Sequence, residues 1–138
     1  MVSGFVPDAL VAAAWCFADE PTPESDALRE SLGERRALVP QLWHVETTNL
    51  LLMAERRQRI RPDRRKELLE LLASLPIDTQ DEADRLRGPV LRLARAHRLS
   101  VYDAVYLDLA MHRGLALATR DAALQTAARK EGVLLIET

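Results

Sequence analysis

The feature that most constrains the fold is the alternation of short apolar segments with longer helical stretches along the whole chain. The short segments cover residues 5–7, 37–39, 76–79, 115–118 and 133–136. The stretches between them carry apolar residues three and four positions apart, which is typical of amphipathic helices. Strands that alternate with helices form a mainly parallel sheet with helices on both faces. The sequence therefore predicts an α/β fold with three layers and five strands.

The helical stretches have recognisable ends. Pro62 is expected to open one helix, and Gly33, Gly114 and Gly132 follow the ends of others. Gly88-Pro89 predicts a kink or break inside one helix. The expected helices cover residues 9–18, 24–32, 42–57, 62–74, 83–97, 101–113 and 122–130, with a break at residues 19–23.

A chain of 138 residues fits one domain, and neither a repeat nor a linker divides it, so residues 1–138 are taken as a single domain. The single cysteine, Cys16, excludes an intramolecular disulfide and supplies too few thiols for a structural zinc site. The longest apolar run, residues 9–18, is too short to cross a bilayer and lacks the basic flank of a signal peptide. We expect a cytoplasmic protein with no membrane partner.

Charge is distributed unevenly. The chain holds 17 arginines and two lysines, and seven of these basic residues lie within residues 56–66. This cluster is either a solvated helix end or a grip for phosphate. Because the net charge is only −2, a nucleic-acid partner requires a local site rather than a basic surface as a whole.

Two acidic residues follow predicted strands directly. Asp8 comes after the first strand, and Asp121 closes the Thr119-Arg120-Asp121 segment after the fourth. Ligand sites in open parallel sheets lie beyond the carboxyl ends of the strands. Each aspartate also has a structural explanation, because aspartate is favoured as the N-cap of a helix.

Two further acids lie on helix faces that are otherwise apolar. Glu46 shares a face with Leu42, Leu50 and Met53, and also with Asn49. Asp103 lies in a segment that is apolar nearly all round. An unpartnered acid in such a place is costly. The alternatives are a rotated helix that exposes Glu46, and a capping box from Ser100 to Asp103.

Asp108 belongs to the same helix as Asp103. We expect it to be an ordinary exposed acid.

The four carboxylates would repel one another if the fold brought them together, and their pKa values would rise unless a cation neutralised them. Oxygen ligands with few imidazoles favour Mg²⁺ or Mn²⁺ over zinc. Such an ion can activate water and stabilise charge on a phosphoryl oxygen.

The order and spacing of these residues resemble those of the PIN-domain ribonucleases, and most closely the VapC toxins of toxin–antitoxin pairs. The resemblance covers essentially the whole chain. Its most specific piece is Tyr-Asp-Ala-x-Tyr-Leu at residues 102–107. The motifs that carry it are Val-Pro-Asp-Ala at 6–9, Val-Pro-x-x-Trp-x-x-Glu-x-x-Asn at 39–49, the block at 99–107 and Ala-Thr-x-Asp at 118–121.

The resemblance implies that Asp8, Glu46, Asp103 and Asp121 are the catalytic acids that hold one or two Mg²⁺ or Mn²⁺ ions. Thr119 and Asn49 would support them, and the five strands would take the order 3-2-1-4-5. Many relatives carry serine or threonine two residues after the first aspartate, where this chain has Leu10. The missing hydroxyl is expected to weaken contacts around the first acid or the hold on substrate phosphate.

The function implied is a metal-dependent endoribonuclease that acts as the toxin of a type II toxin–antitoxin pair, forms a homodimer and is silenced by its antitoxin. Leu28 and Leu32 are either apolar anchor points for that antitoxin or residues of the protein's own core. An alternative is a catalytically weak PIN domain that binds RNA or a partner protein without cleavage. A phospho-acceptor receiver domain is disfavoured, because only one acid follows the first strand and no lysine follows the last.

Overall fold

The central sheet contains four parallel strands in the order β3-β2-β1-β4. The computed structural model describes residues 4–17 and 22–138. Its strands are β1 (Gly4–Pro7), β2 (Arg36–Pro40), β3 (Ile77–Gln80) and β4 (Ala116–Ala118). The parallel sheet and the position of β1 beside β4 confirm the predicted topology for these strands.

The predicted fifth strand is reduced to a single bridge. Leu135 pairs in parallel with Leu117 of β4, so it occupies the place expected for strand five. The Leu117 N–H donates to the Leu134 carbonyl at 2.8 Å, and the Ile136 N–H donates to the Leu117 carbonyl at 2.9 Å. Val133, Leu135 and Ile136 pack against the core, but Leu134 projects into solvent, and the pairing with β4 is limited to Leu135.

The helices of the described residues agree closely with the prediction. They are α1 (Ala9–Ala14), α2 (Pro23–Glu30), α3 (Gln41–Arg56), α4 (Pro62–Ser74), α5 (Leu91–His97), α6 (Val101–Arg113) and α7 (Ala122–Lys130). The break expected near Gly88-Pro89 is present as a 3₁₀ turn, Ala83–Arg85, and a π-helical turn, Leu86–Val90, before α5. Helix α1 ends earlier than predicted; residue 18 of the predicted helix and residues 19–21 of the predicted break lie outside the described residues.

The sheet is covered on both faces, as a three-layer fold requires. Consecutive residues of β1 and β2 are buried, although their side chains point alternately to opposite faces. Helix α6 packs across β1, β2 and β4, while α3 packs against β2 and α1. Among residues 4–17 and 22–138, no helix is both long and apolar enough to cross a membrane.

Leu28 and Leu32 belong to this core. Their exposed fractions are only 3% and 5%. The proposal that they anchor an antitoxin is therefore wrong, and the alternative, that they pack inside the protein, is correct.

The expectation that Asp108 is an exposed acid is also wrong. Helix α6 is buried from Ala104 to Ala110, and Asp108 is buried with it. Its carboxylate accepts two hydrogen bonds from Arg85, at 2.7 Å from Nε and 3.0 Å from Nη2. The arginine comes from the irregular segment before α5, which the spacing along α6 could not reveal. The pairing raises the pKa of Arg85, which keeps the guanidinium charged.

Candidate active site

Asp8 and Asp121 lie at the carboxyl ends of neighbouring strands. Pro7 of β1 is in register with Ala118 of β4, so the residues that follow each strand emerge side by side. Asp8 Oδ1 accepts the Val11 N–H at 2.9 Å and caps α1, while Asp121 Oδ1 accepts the Leu124 N–H at 2.8 Å and caps α7. The capping role is therefore real for both, and it also fixes where the two carboxylates lie.

Thr119 connects the two acids. Its buried hydroxyl donates to Asp8 Oδ2 at 2.5 Å and accepts the Asp121 N–H at 3.1 Å. One side chain therefore ties the end of β1 to the start of α7. Because Thr119 sits between them, neither strand end can shift without breaking one of these bonds.

Glu46 lies beside the apolar stripe of α3 rather than on it. The residues that α3 buries are Trp43, Thr47, Leu51 and Ala54. Glu46 is half-buried at the edge of that stripe, and Asn49 is exposed one turn later. The predicted face was thus rotated by about one position, and the supporting role of Asn49 stays a prediction.

Tyr106 holds the Glu46 side chain in place. Its hydroxyl donates to Glu46 Oε1 at 2.5 Å. Burial, followed by this hydrogen bond and the charge of Glu46, raises the pKa of Tyr106, so the phenol stays protonated as the donor. Tyr106 was placed in the Tyr-Asp-Ala-x-Tyr-Leu block at residues 102–107, but no role at the site was predicted for it. Its spacing of three residues from Asp103 was the available signal.

Asp103 occupies the first turn of α6 and is half-buried. Ser100 Oγ accepts the Asp103 N–H at 3.1 Å, which is one half of the capping box considered above. Tyr106 follows one helical turn later. One face of α6 therefore carries both Asp103 and the tyrosine that orients Glu46.

The pKa values show that the acids share one electrostatic environment. Burial raises the pKa of Asp8, and the charges of Asp103 and Asp121 raise it further against the hydrogen bonds from Thr119 and Val11. Burial also raises the pKa of Glu46, with Asp103 and Asp8 adding to the effect. The pKa of Asp103 is raised by burial and by Asp121. Asp8 and Asp103 therefore repel each other and both of the remaining acids, Glu46 and Asp121.

The family model for the PIN domain matches residues 5–130, which is most of the chain and includes all four acids. The chain is a PIN domain. A search of curated protein sequences gave no significant match.

Solved structures support the same fold. PAE2754 from Pyrobaculum aerophilum matches with 24% identity and a TM-score of 0.68 over 91% of this chain and 79% of that protein. VapBC2 from Rickettsia felis, bound to a promoter DNA fragment, matches with 9% identity and a TM-score of 0.72 over 97% and 98%. A toxin–antitoxin complex from Klebsiella pneumoniae matches with 14% identity and a TM-score of 0.57 over 84% and 85%.

The donor set of this PIN domain fits a divalent cation of the Mg²⁺ type. All four candidate ligands are carboxylates, and their mutual repulsion is the condition that a cation relieves. Within residues 4–17 and 22–138, no three acidic, histidine or cysteine side chains come close enough together to hold an ion by themselves. Mg²⁺ commonly binds through one or two carboxylates and keeps several waters, so it does not require a closed protein cage.

A pH dependence of stability follows from these pKa values. The pKa values of Asp8, Glu46 and Asp103 are raised, so the folded protein binds their protons more tightly than the unfolded chain does. The free energy of unfolding should therefore increase as the pH falls through these raised pKa values, and decrease again towards neutral pH. In EDTA we expect urea denaturation to show this trend, and Asp103→Asn to flatten it. Mg²⁺ should stabilise the protein more at pH 7 than at pH 5. Equal pH profiles for Asp103→Asn and the unaltered chain would contradict the shared environment.

Proposed function

We propose that this PIN domain is a Mg²⁺- or Mn²⁺-dependent endoribonuclease and the toxin of a type II, VapC-like toxin–antitoxin pair. The observation that carries the proposal is the gathering of Asp8, Glu46, Asp103 and Asp121, from four separate segments, at the carboxyl edge of the sheet. The burial and repulsion that raise the pKa values of Asp8, Glu46 and Asp103 cost stability in the free protein. Such strained electrostatics are characteristic of catalytic sites.

Each acid has a distinct structural support. Asp8 is fixed by the Val11 N–H and the Thr119 hydroxyl. Glu46 is oriented through one oxygen by Tyr106, which leaves the second oxygen for the site. Asp103 and Asp121 lie at the starts of α6 and α7. These supports keep the four carboxylates in position before a ligand arrives, which is what electrostatic preorganisation requires.

The bound ions would supply an activated water and stabilisation of charge on the phosphoryl oxygens. The protein would hold the ions with Asp8, Glu46, Asp103 and Asp121 and would orient the scissile phosphate of RNA against them. The runner-up, an RNA- or protein-binding PIN domain without cleavage, keeps the same fold but gives these four acids no chemical role.

The toxin role is supported by what the structural neighbours are. The protein from Klebsiella pneumoniae is described as a toxin–antitoxin complex, and that from Rickettsia felis as VapBC2 on promoter DNA. By analogy, this chain would form a homodimer and bind a cognate antitoxin that blocks the acidic site. An arginine of the antitoxin could pair with these carboxylates through two hydrogen bonds.

Expression in a bacterial host tests this role. The chain alone should arrest growth and fragment cellular RNA, whereas co-expression with the small reading frame immediately upstream should restore growth and yield a complex without ribonuclease activity. Asp63→Asn, which alters an exposed acid on α4, is the matched control and should remain toxic. Normal growth with intact RNA, in cells that contain the folded chain, would contradict the proposal.

A further inference from the structure

A cavity of about 280 Å³ lies between α1 and α3, and several of its lining residues are close in sequence to the acids. Leu10 in its wall follows Asp8 by two residues, and Leu50 follows Glu46 by one helical turn. Arg120, on its rim, stands between Thr119 and Asp121. Three of the four segments that carry acids therefore also contribute residues to the lining of this cavity.

The cavity combines an apolar wall with a basic rim. Leu10, Leu50 and Met53 contribute to the wall, and Leu10 is 60% exposed although it is a large apolar side chain. Three arginines, Arg57, Arg59 and Arg120, also line the cavity. Phe17 also lines the cavity, and the Arg59 guanidinium lies 4.8 Å from the centre of its ring, at the distance of a cation–π contact.

Arg57 belongs to the basic cluster at residues 56–66, in which several charges are paired, whereas Arg120 lies outside that cluster. Arg64 pairs with Glu67 and Arg65 with Glu55, so their charges are compensated within the protein. Across residues 4–17 and 22–138, Arg57 and Arg120 form no ion pair and no side-chain hydrogen bond. Their exposed guanidinium groups therefore remain available to an anion.

We infer that this cavity is a nucleotide subsite, which takes the base of one RNA residue beside the cleaved bond while Arg57 and Arg120 bind flanking phosphates. The inference rests on the proposed ribonuclease function. RNA must approach four carboxylates that repel its backbone, and cations at the same edge offset that repulsion. Guanidinium groups suit phosphate through paired hydrogen bonds, and an apolar wall suits the face of an unstacked base.

The charge half of the subsite is tested by RNA binding rather than cleavage. The probe is a mixed-sequence, single-stranded RNA 12-mer, measured by fluorescence anisotropy in EDTA over a salt series. Each phosphate contact to a single strand contributes about 0.7 to the slope of log Kd against log salt. The Arg57→Gln, Arg120→Gln double variant should therefore lose about 1.4 from that slope, and each single variant about half of this. Arg64→Gln, which removes an already paired charge, should leave the slope unchanged.

The apolar half is tested with Leu10→Ala, which shortens an exposed side chain without adding a polar group and should leave the fold intact. It should weaken binding of the intact RNA about fivefold, in line with the loss of apolar contact area. An abasic site is moved along the 12-mer to find the position whose base the cavity binds. For the RNA that lacks this base, the substitution at position 10 should not change the binding affinity.

The outcomes separate this inference from the proposed function. If the protein cleaves RNA but the double variant keeps the unaltered salt slope, the subsite is wrong and the function stands. If the double variant binds RNA normally but no longer binds the antitoxin, the cavity binds a protein segment instead of a nucleotide. The subsite is then also wrong, and the function stands. If the slope falls as expected but no RNA is cut with Mg²⁺ or Mn²⁺, the subsite stands and the ribonuclease function fails.

Discussion

Replacing Asp103 with asparagine should lower the rate of RNA cleavage by about 100-fold or more while the protein stays folded. Asparagine keeps the shape of the side chain but removes the charge that a cation needs. The Ser100 bond to the backbone of residue 103 does not depend on the carboxylate. Since burial and Asp121 raise the pKa of Asp103, loss of its charge should also leave the metal-free protein as stable as before, or more so. End-labelled RNA measures the rate, and urea denaturation measures the stability.

Asp8→Asn should lose activity to a similar degree, because it removes a charge that the cation needs. The variant should stay folded, because asparagine can still cap α1. The matched control is Asp63→Asn, which should cleave RNA at the unaltered rate. Unimpaired cleavage by a folded Asp103→Asn protein would remove Asp103 from the metal site.

Removal of divalent ions should abolish cleavage without unfolding the protein. The core does not depend on a ligand, because Phe5, Val39, Trp43, Leu107 and Leu117 are buried among one another and their neighbours. We therefore expect EDTA to leave the helical circular dichroism signal nearly unchanged, in contrast to small domains that fold around a metal. Excess Mg²⁺ or Mn²⁺ should restore cleavage in full. Cleavage that continues in excess EDTA would indicate chemistry without a metal, and an RNA-binding domain without activity would show no cleavage in either condition.

The parts of the fold that could be predicted are those set by local pattern. Pro62 and Gly114 mark helix ends that the structure reproduces, and β1, β2 and β4 are short apolar runs that need burial on both faces. Asp8, Thr119 and Asp121 could be placed together because neighbouring parallel strands end at one edge.

The errors concern contacts between segments distant in sequence. Asp108 is buried because Arg85, 23 residues earlier, reaches it, and no spacing within α6 reports that. Residues 133–136 have a strand's composition, but Leu134 is left in solvent and only Leu135 pairs with β4.

The side chains of the site show the same limit. The bond from Tyr106 to Glu46 joins α6 to α3 across 60 residues, so the position of Tyr106 within α6 could not identify Glu46 as its partner. Glu46 itself was assigned to the buried face of α3, whereas the helix is turned so that Trp43 and Thr47 occupy that face. Both features depend on how α3 and α6 pack, which the periodicity of either helix alone does not determine.

The central claim, that these acids hold a catalytic divalent ion, is tested most directly by titrating Mn²⁺ into RNA cleavage assays of the unaltered chain and of Asp103→Asn side by side. The unaltered chain should be inactive in EDTA, and its rate of cleavage should rise with Mn²⁺ until it saturates. Asp103→Asn should stay at least about 100-fold slower at the same saturating concentration. Equal rates for the two proteins across the titration, or a rate for the unaltered chain that does not depend on Mn²⁺, would contradict the claim.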